Sequence, residues 1–519
     1  MPGLKAGTVY LLGAGPGDPG LLTLRARDVL GAADVVVYDY LANRAFLGFC
    51  RSEAELIYAG KKGGQHTLSQ EAINQLLIDR AKQGFRVARL KGGDPYVFGR
   101  GAEEAEDFVA AGVDFEVVPG VTSAVAAPAY AGIPLTHRRY ASSVSFITGH
   151  EDPSKAESSI NWSALAGSGS TLVFFMGVKN LAFICQRLGE AGMDPKTPAA
   201  LVRWGTTCRQ ESLASSLDSI AEEAAERGFK APALLVVGQV VGLRDRLAWF
   251  ERKPLLGLGV VITRAREQAS SLVRLLEEQG ACCLEFPTID IRPLDDYALV
   301  RRRIGELTAY SWIVFTSVNG VSHFWRELRG LGLDARALGG LQVAAIGPAT
   351  AESLEEQGII PDFVPDKYVA ESVVQGLLDL GVRGKRVLIP RAEKAREVLP
   401  ESLRAAGAAV DVLPVYRTGL SREDESGVLQ ALEDGRVQYI TFTSSSTVDN
   451  FFQRIEARQL ARFVPGRVRL ACIGPITAET LASYGFEAAI MPEEYTVPGL
   501  AHALIEDAGR RRQQEAARS

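Results

Sequence analysis

The segment VYLLGAGPGDPGLLTLRA, Val9 to Ala26, decides the architecture. A short apolar run leads into a turn holding Gly13, Gly15 and Gly17, and then into a stretch that reads as a helix. Strand, glycine turn and helix in that order open a parallel α/β layer. The turn approaches a dinucleotide fingerprint but breaks it, because the third glycine of G-x-G-x-x-G would fall at Asp18 and Pro16 interrupts the run. A ligand bound here is therefore not expected to be NAD. Taken alone, the glycines fit a tight strand-to-helix connection equally well.

Two further turns repeat the theme. RLKGGDPYVFGRG, Arg89 to Gly101, places Gly92 and Gly93 after a strand, with Asp94 offering a carboxylate to hydroxyl or amino groups. VVPGVTSAVAAPA, Val117 to Ala129, adds small residues and the hydroxyls of Thr122 and Ser123. Three such turns at strand ends line a ligand crevice in open α/β sheets. The βα alternation continues along the chain, with boundaries expected at Pro134 to Ser142 and at ERKPLLGLG, Glu251 to Gly259.

Beyond that second boundary the sequence repeats itself at an offset of 127, from FTS at Phe315–Ser317 to FTS at Phe442–Ser444. Nine of the fifteen positions from Ala344 to Gly358 match their partners at 471 to 485, where average usage would give roughly one. Two copies are too few for a solenoid, so the duplication predicts a two-lobed enzyme or binding protein. Hydroxyls and N–H groups at the starts of its helices suit carboxylates, and they suit ordinary N-caps as well. Tyr416 breaks the repeat: it stands opposite Ile289, a phenol in place of an aliphatic side chain.

Composition excludes several classes. With 57 Lys and Arg against 62 Asp and Glu, the net charge of −5 gives no footprint for nucleic acid. No apolar run reaches the roughly 18 residues of a membrane span. The six cysteines and five histidines show no spacing of a disulfide scaffold or metal site. A cytoplasmic protein without a metal is expected. Any anionic ligand must then be met by local cations, and Arg89, Lys91, Arg100, Arg138 and Arg139 form a candidate pool.

GAGPGDPGLLT, VVYDYL, GKKGG, RLKGGDPYVFGRG, PGVTSA, GIPLTHR, TLVFFMG and the WGT turn, in this order over residues 7 to 250, closely resemble the S-adenosylmethionine-dependent uroporphyrinogen-III C-methyltransferases of the tetrapyrrole methylase family. The resemblance implies two α/β domains, about 7–137 and 141–250, with the methyl donor between them. It carries donor contacts onto Pro16, Gly92, Gly93, Asp94, Val97, Thr122, Ser123, Met176 and Gly205. It also carries a proton acceptor onto Asp39 and a proton donor onto Lys61. A pyrrole carbon attacks the sulfonium methyl and the methylated macrocycle then loses a proton, so such a pair makes chemical sense. Read from the residues alone, Asp39 could equally cap a helix, Lys61 could be a solvated loop charge, and Met176 could be a buried strand residue. The resemblance further implies a homodimer formed through this half.

TSVNGV, IGPATAESL, IGPITAETL and VYRT resemble uroporphyrinogen-III synthase over about 259 to 506. That implies one lobe from 259–292 plus 418–506 and another from 294–416, after a 251–258 linker and before a charged tail at 507–519. Tyr416 becomes the proton donor that helps a hydroxyl leave hydroxymethylbilane, and Thr443, Ser444 and Thr477 become substrate contacts. The whole is expected to be a two-domain tetrapyrrole methylase fold followed by a two-lobed, internally duplicated α/β synthase. It would close hydroxymethylbilane to uroporphyrinogen III and methylate that product twice, to precorrin-2, for sirohaem or cobalamin synthesis. The alternative is a methyltransferase for another corrin precursor with a non-catalytic tetrapyrrole-binding module.

Overall fold

The computed structural model describes residues 4–60, 68–149, 160–264, 266–365, 370–395, 397–421, 424–464 and 466–517. Strands β1 (Thr8–Gly13), β2 (Val35–Tyr38), β3 (Glu55–Tyr58), β4 (Val87–Lys91) and β5 (Asp114–Val118) form a parallel sheet in the order β3-β2-β4-β1-β5. The apolar run of β1 is continuous because both faces of this sheet are covered. Val9 and Leu11 pack with Leu77 and Phe108 on one side, while Tyr10 and Leu12 pack with Val29, Leu30 and Phe46 on the other.

A second sheet, ordered β6-β7-β10-β8-β9, contains β6 (Val144–Thr148), β7 (Thr171–Phe175), β8 (Pro198–Arg203), β9 (Glu211–Ser216) and β10 (Ala233–Val237). It is mixed: β6 and β7 run parallel, whereas β10 is antiparallel to both of its neighbours.

The duplicated region builds two sheets. One is β12-β11-β18-β19, from β11 (Gly259–Ile262), β12 (Cys282–Glu285), β18 (Tyr439–Phe442) and β19 (Arg469–Cys472). The other is β13-β17-β16-β14-β15, from β13 (Ile289–Arg292), β14 (Trp312–Phe315), β15 (Gln342–Ala345), β16 (Arg386–Ala392) and β17 (Ala409–Leu420). β13 pairs antiparallel with the end of β17, Ile289 opposite Leu420 and Arg292 opposite Arg417. Residues 289–292 and 418–420 thus belong to the second of these sheets, which moves both expected lobe edges.

The chain divides into two compact units, and their limits differ from the boundaries expected above. Unit 1 holds Met1–Val260 together with Arg274–Cys283 and Leu504–Ser519; unit 2 holds Val261–Val273 and Leu284–Ala503. Within unit 1 the expected linker is fixed by hydrogen bonds, from Leu255 N to Gln279 O at 3.0 Å and from Gly257 N to Cys208 O at 3.0 Å. The expected tail is largely the end of helix Val497–Ala516, and its Arg512 donates to the carbonyls of Lys253 and Leu256. Cys208 and Cys282 form a disulfide across 74 residues, a pairing that no local spacing could signal. Among the described residues, no helix is long and apolar enough to cross a membrane.

Candidate functional site

In unit 1 the three glycine turns meet at the carboxyl ends of β1, β4 and β5. Gly15 and Gly93 bond each other through both backbone pairs, at 3.1 and 2.8 Å. The crossing is close enough that a Cβ on Gly120 would lie 2.3 Å from Gly93 O and 2.6 Å from Gly13 Cα. Asp94 ties the second turn to the third, its two oxygens accepting from Tyr96 N at 2.8 Å and Gly120 N at 3.0 Å. Gly93 differs from its neighbours: with φ at +69° it has a left-handed backbone, and a Cβ there would meet nothing nearer than Ser123 N at 3.8 Å. Its open side faces Thr122 and Ser123, the start of helix Ser123–Tyr130 that Thr122 caps. Pro16, Gly92, Gly93, Asp94, Thr122 and Ser123 are thereby gathered by one set of turns.

The second sheet brings the remaining candidates. Gly205 lies against that same helix, where a Cβ would strike Ala127 Cβ at 2.3 Å. Its neighbour Thr206 accepts from Asp18 N at 3.1 Å, and Tyr130 donates to Asp18 Oδ2 at 2.7 Å. Burial and the bond to Asp18 push the Tyr130 phenol above its ordinary value. The Phe98 ring, one residue past Val97, sits 4.8 Å from Phe175, one residue before Met176. Met176 is no buried strand residue: it follows β7 and is 53% exposed.

Phe98, Arg100, Met176, Trp204 and Thr206 all have positive φ without being glycine. Such strain persists only where surrounding structure enforces it, and it concentrates at ligand sites. All five lie in the loops that carry Val97, Met176 and Gly205. Trp204 and Thr206 flank Gly205 in the WGT turn, and nothing in their residue types signals the left-handed backbone.

Asp39 follows β2 and its carboxylate meets Arg89, with Nη2 2.8 Å from Oδ1 and 3.0 Å from Oδ2. It caps none of the described helices. Arg89 and Lys91 leave the pool of free cations, since both are buried and paired with carboxylates. Arg100 pairs with Glu103, while Arg138 and Arg139 are exposed. Lys61 lies outside the described residues.

In unit 2, Tyr416 is buried on β17 with its hydroxyl 3.2 Å from Ser317 Oγ. Its ring stacks on His323 at 5.3 Å. Burial raises the Tyr416 phenol above its ordinary value, against the hydrogen bond to Ser317. Burial likewise keeps His323 below its ordinary value. Ser317 closes the FTS motif of the first copy, whereas His323 carries no signal in the sequence. Thr443 and Ser444 follow β18, and Thr477 lies in the first turn of helix Pro475–Ser483 after β19. Ser445 Oγ donates to Ile476 O at 3.4 Å, which brings these two turns side by side. Ser444 also caps its helix in a reciprocal box with Thr447, so the structural reading of that hydroxyl holds whatever else it does.

Family models define the class of each half. Residues 8–221 match the tetrapyrrole (corrin/porphyrin) methylases and residues 270–502 match uroporphyrinogen-III synthase. The porphyrin biosynthesis protein HemD of Ruminiclostridium josui is 37% identical over 506 residues, covering 98% of this chain and 99% of that protein. The S-adenosyl-L-methionine-dependent uroporphyrinogen III methyltransferase of Methanosarcina barkeri is 54% identical over 241 residues, 46% of this chain and 94% of that protein. The uroporphyrinogen-III C-methyltransferase of Bacillus subtilis is 41% identical over 357 residues, 69% of this chain and 73% of that protein. The chain belongs to the family of its full-length relative, with a tetrapyrrole methylase and a uroporphyrinogen-III synthase joined in one polypeptide.

Proposed function

We propose that the second half closes hydroxymethylbilane to uroporphyrinogen III and that the first half methylates this product twice, giving precorrin-2 for sirohaem or cobalamin synthesis. The observation that carries the reading is the end-to-end match of both halves to one relative. The product of a synthase of this class is the substrate of a methyltransferase of this class, so the two activities form a sequence.

S-adenosylmethionine would supply the electrophilic methyl group. The open space beside Gly93, bounded by Thr122 and Ser123, fits a ligand laid against the backbone, because any side chain at Gly93 would fill it. Pro16, Gly92, Asp94, Val97, Met176 and Gly205 complete the proposed donor site. The chain's work in methyl transfer is chiefly to orient the ring carbon against the methyl group. Asp39, at the edge of this site, then accepts the proton that the methylated macrocycle loses, and Lys61 is the proposed proton donor. In the synthase half, Tyr416 stays protonated through the neutral range and so can donate to the departing hydroxyl. Thr443, Ser444 and Thr477 hold the substrate. A cytoplasmic setting and a homodimer through the methyltransferase half belong to the same reading.

The test is to supply hydroxymethylbilane with and without the methyl donor. Isomer III alone, and a dimethylated product when donor is present, are expected. Uroporphyrinogen I at the spontaneous rate would overturn the synthase assignment, and failure to methylate added uroporphyrinogen III twice would overturn the methyltransferase assignment.

A further inference from the structure

We propose that Arg89 is a positioning residue for methyl transfer: buried beneath Asp39, it fixes the carboxylate that takes the proton, and Glu104 with Lys91 fixes Arg89. The proposal rests on the reading of Asp39 given above. Arg89 and Lys91 are two apart on β4 and so share one face of the sheet. Both are almost wholly buried, at 2% and 4% exposure, over a Glu104 that is fully buried in helix Gly101–Ala110. Glu104 Oε1 takes Lys91 Nζ at 2.5 Å and Gln70 Nε2 at 2.9 Å, and lies 3.5 Å from Arg89 Nε. Gln70 continues to Asn74 at 2.8 Å, and Asn74 to Asp107 at 2.5 Å. Asp39 stands at the open end, its side chain 29% exposed.

This cluster is a costly way to fill a core. Arg89 Nε and Nη1 and Glu104 Oε2 have no hydrogen-bond partner among the described residues, and apolar side chains of similar volume often serve stability as well as a buried ion cluster or better. What the cluster does provide is direction. A single guanidinium nitrogen meets both carboxylate oxygens of Asp39 from below, which leaves its exposed side free for the substrate. Arginine does not surrender its proton, so Asp39 remains the acceptor and Arg89 acts only by holding it. Burial also rules out Arg89 as a contact for the carboxylates of the macrocycle.

The experiment compares Arg89→Met, Arg89→Lys, Asp39→Asn and the double variant Asp39→Asn/Arg89→Met in the full chain. Methyl transfer to uroporphyrinogen III is measured as kcat and KM, S-adenosylhomocysteine binding by calorimetry, and synthase turnover on the same preparations. Arg89→Met should lower kcat by about tenfold to a hundredfold, with S-adenosylhomocysteine affinity and synthase turnover unchanged. Arg89→Lys should recover part of the loss, and Arg89→Met should add little to Asp39→Asn. Equal loss from Arg89→Met in both backgrounds, or an undiminished kcat, would overturn the positioning role. Full turnover in Asp39→Asn would instead overturn the acceptor assignment, whatever Arg89 does. If Arg89→Met does not fold, Arg89→Lys and Glu104→Gln decide: a lowered kcat with intact S-adenosylhomocysteine binding supports the role, and a parental kcat in both overturns it.

Discussion

Asp34 shows how a single side chain can make a domain sensitive to acid. Its carboxylate accepts from Arg86 Nε at 2.8 Å and Nη2 at 2.7 Å, and from Arg51 Nη2 at 2.6 Å. The bonds from Arg86 hold it far below the ordinary value of 3.8, against the opposing effect of burial. The unfolded chain therefore takes up a proton at a pH where the folded chain resists it. The stabilisation is present at neutral pH and fades as pH falls below about 5. Arg86→Met should flatten this part of the stability profile, measured by urea denaturation at stepped pH. At Tyr416 the sign is opposite: the raised phenol stays neutral, so Tyr416→Phe removes the proposed proton donor while keeping the ring on His323. Synthase turnover should fall about a hundredfold with little change in melting temperature, and a parental rate would remove Tyr416 from the chemistry. Tyr416 was legible because it breaks a repeat. Arg89 was visible as a charge but not as a buried one, since its partners come from the end of β2 and from helix Gly101–Ala110.

At the scale of elements, the repeated hydroxyl turns and glycine turns obey different rules. Ser317 and Ser444 both cap helices, accepting from the N–H three residues on at 3.0 and 3.3 Å. The 127-residue offset thus preserves the same local need in each copy. Ser444→Ala should cost about 1 kcal/mol of stability, read by thermal denaturation. Any larger loss of synthase turnover at a permissive temperature would mark a second role in substrate binding. The crossing of Gly13 and Gly120 beside the Gly93 carbonyl is less forgiving, because the atoms a side chain on either would strike are backbone. Gly120→Ala should abolish S-adenosylhomocysteine binding by calorimetry. These turns could be read in the sequence because glycine is the signature of a close approach. Their convergence could not, since it depends on strand order. The left-handed backbone of Met176, Trp204 and Thr206 carries no signature, since such residues normally avoid that conformation.

For the molecule as a whole, the α/β alternation and the duplication were readable from apolar periodicity and from the constant offset. The edges of the compact units were not. Unit 1 recruits Arg274–Cys283 and Leu504–Ser519, segments far along the chain from its bulk, and such recruitment leaves no trace in local composition. The bond between Cys208 and Cys282 closes a loop of 74 residues, and in the loop-entropy account such a constraint is worth about 4 kcal/mol. A thiol reductant, or Cys282→Ser, should therefore lower the unfolding temperature of unit 1 in a calorimetric scan, and an unchanged scan would show that the bond does not form in solution. The same link alters what a protease could achieve. A single cut in the loop between these cysteines, including one in the connecting segment at 251–258, would sever the polypeptide and yet leave one covalent molecule. The fragments would separate only once the sulfurs were reduced.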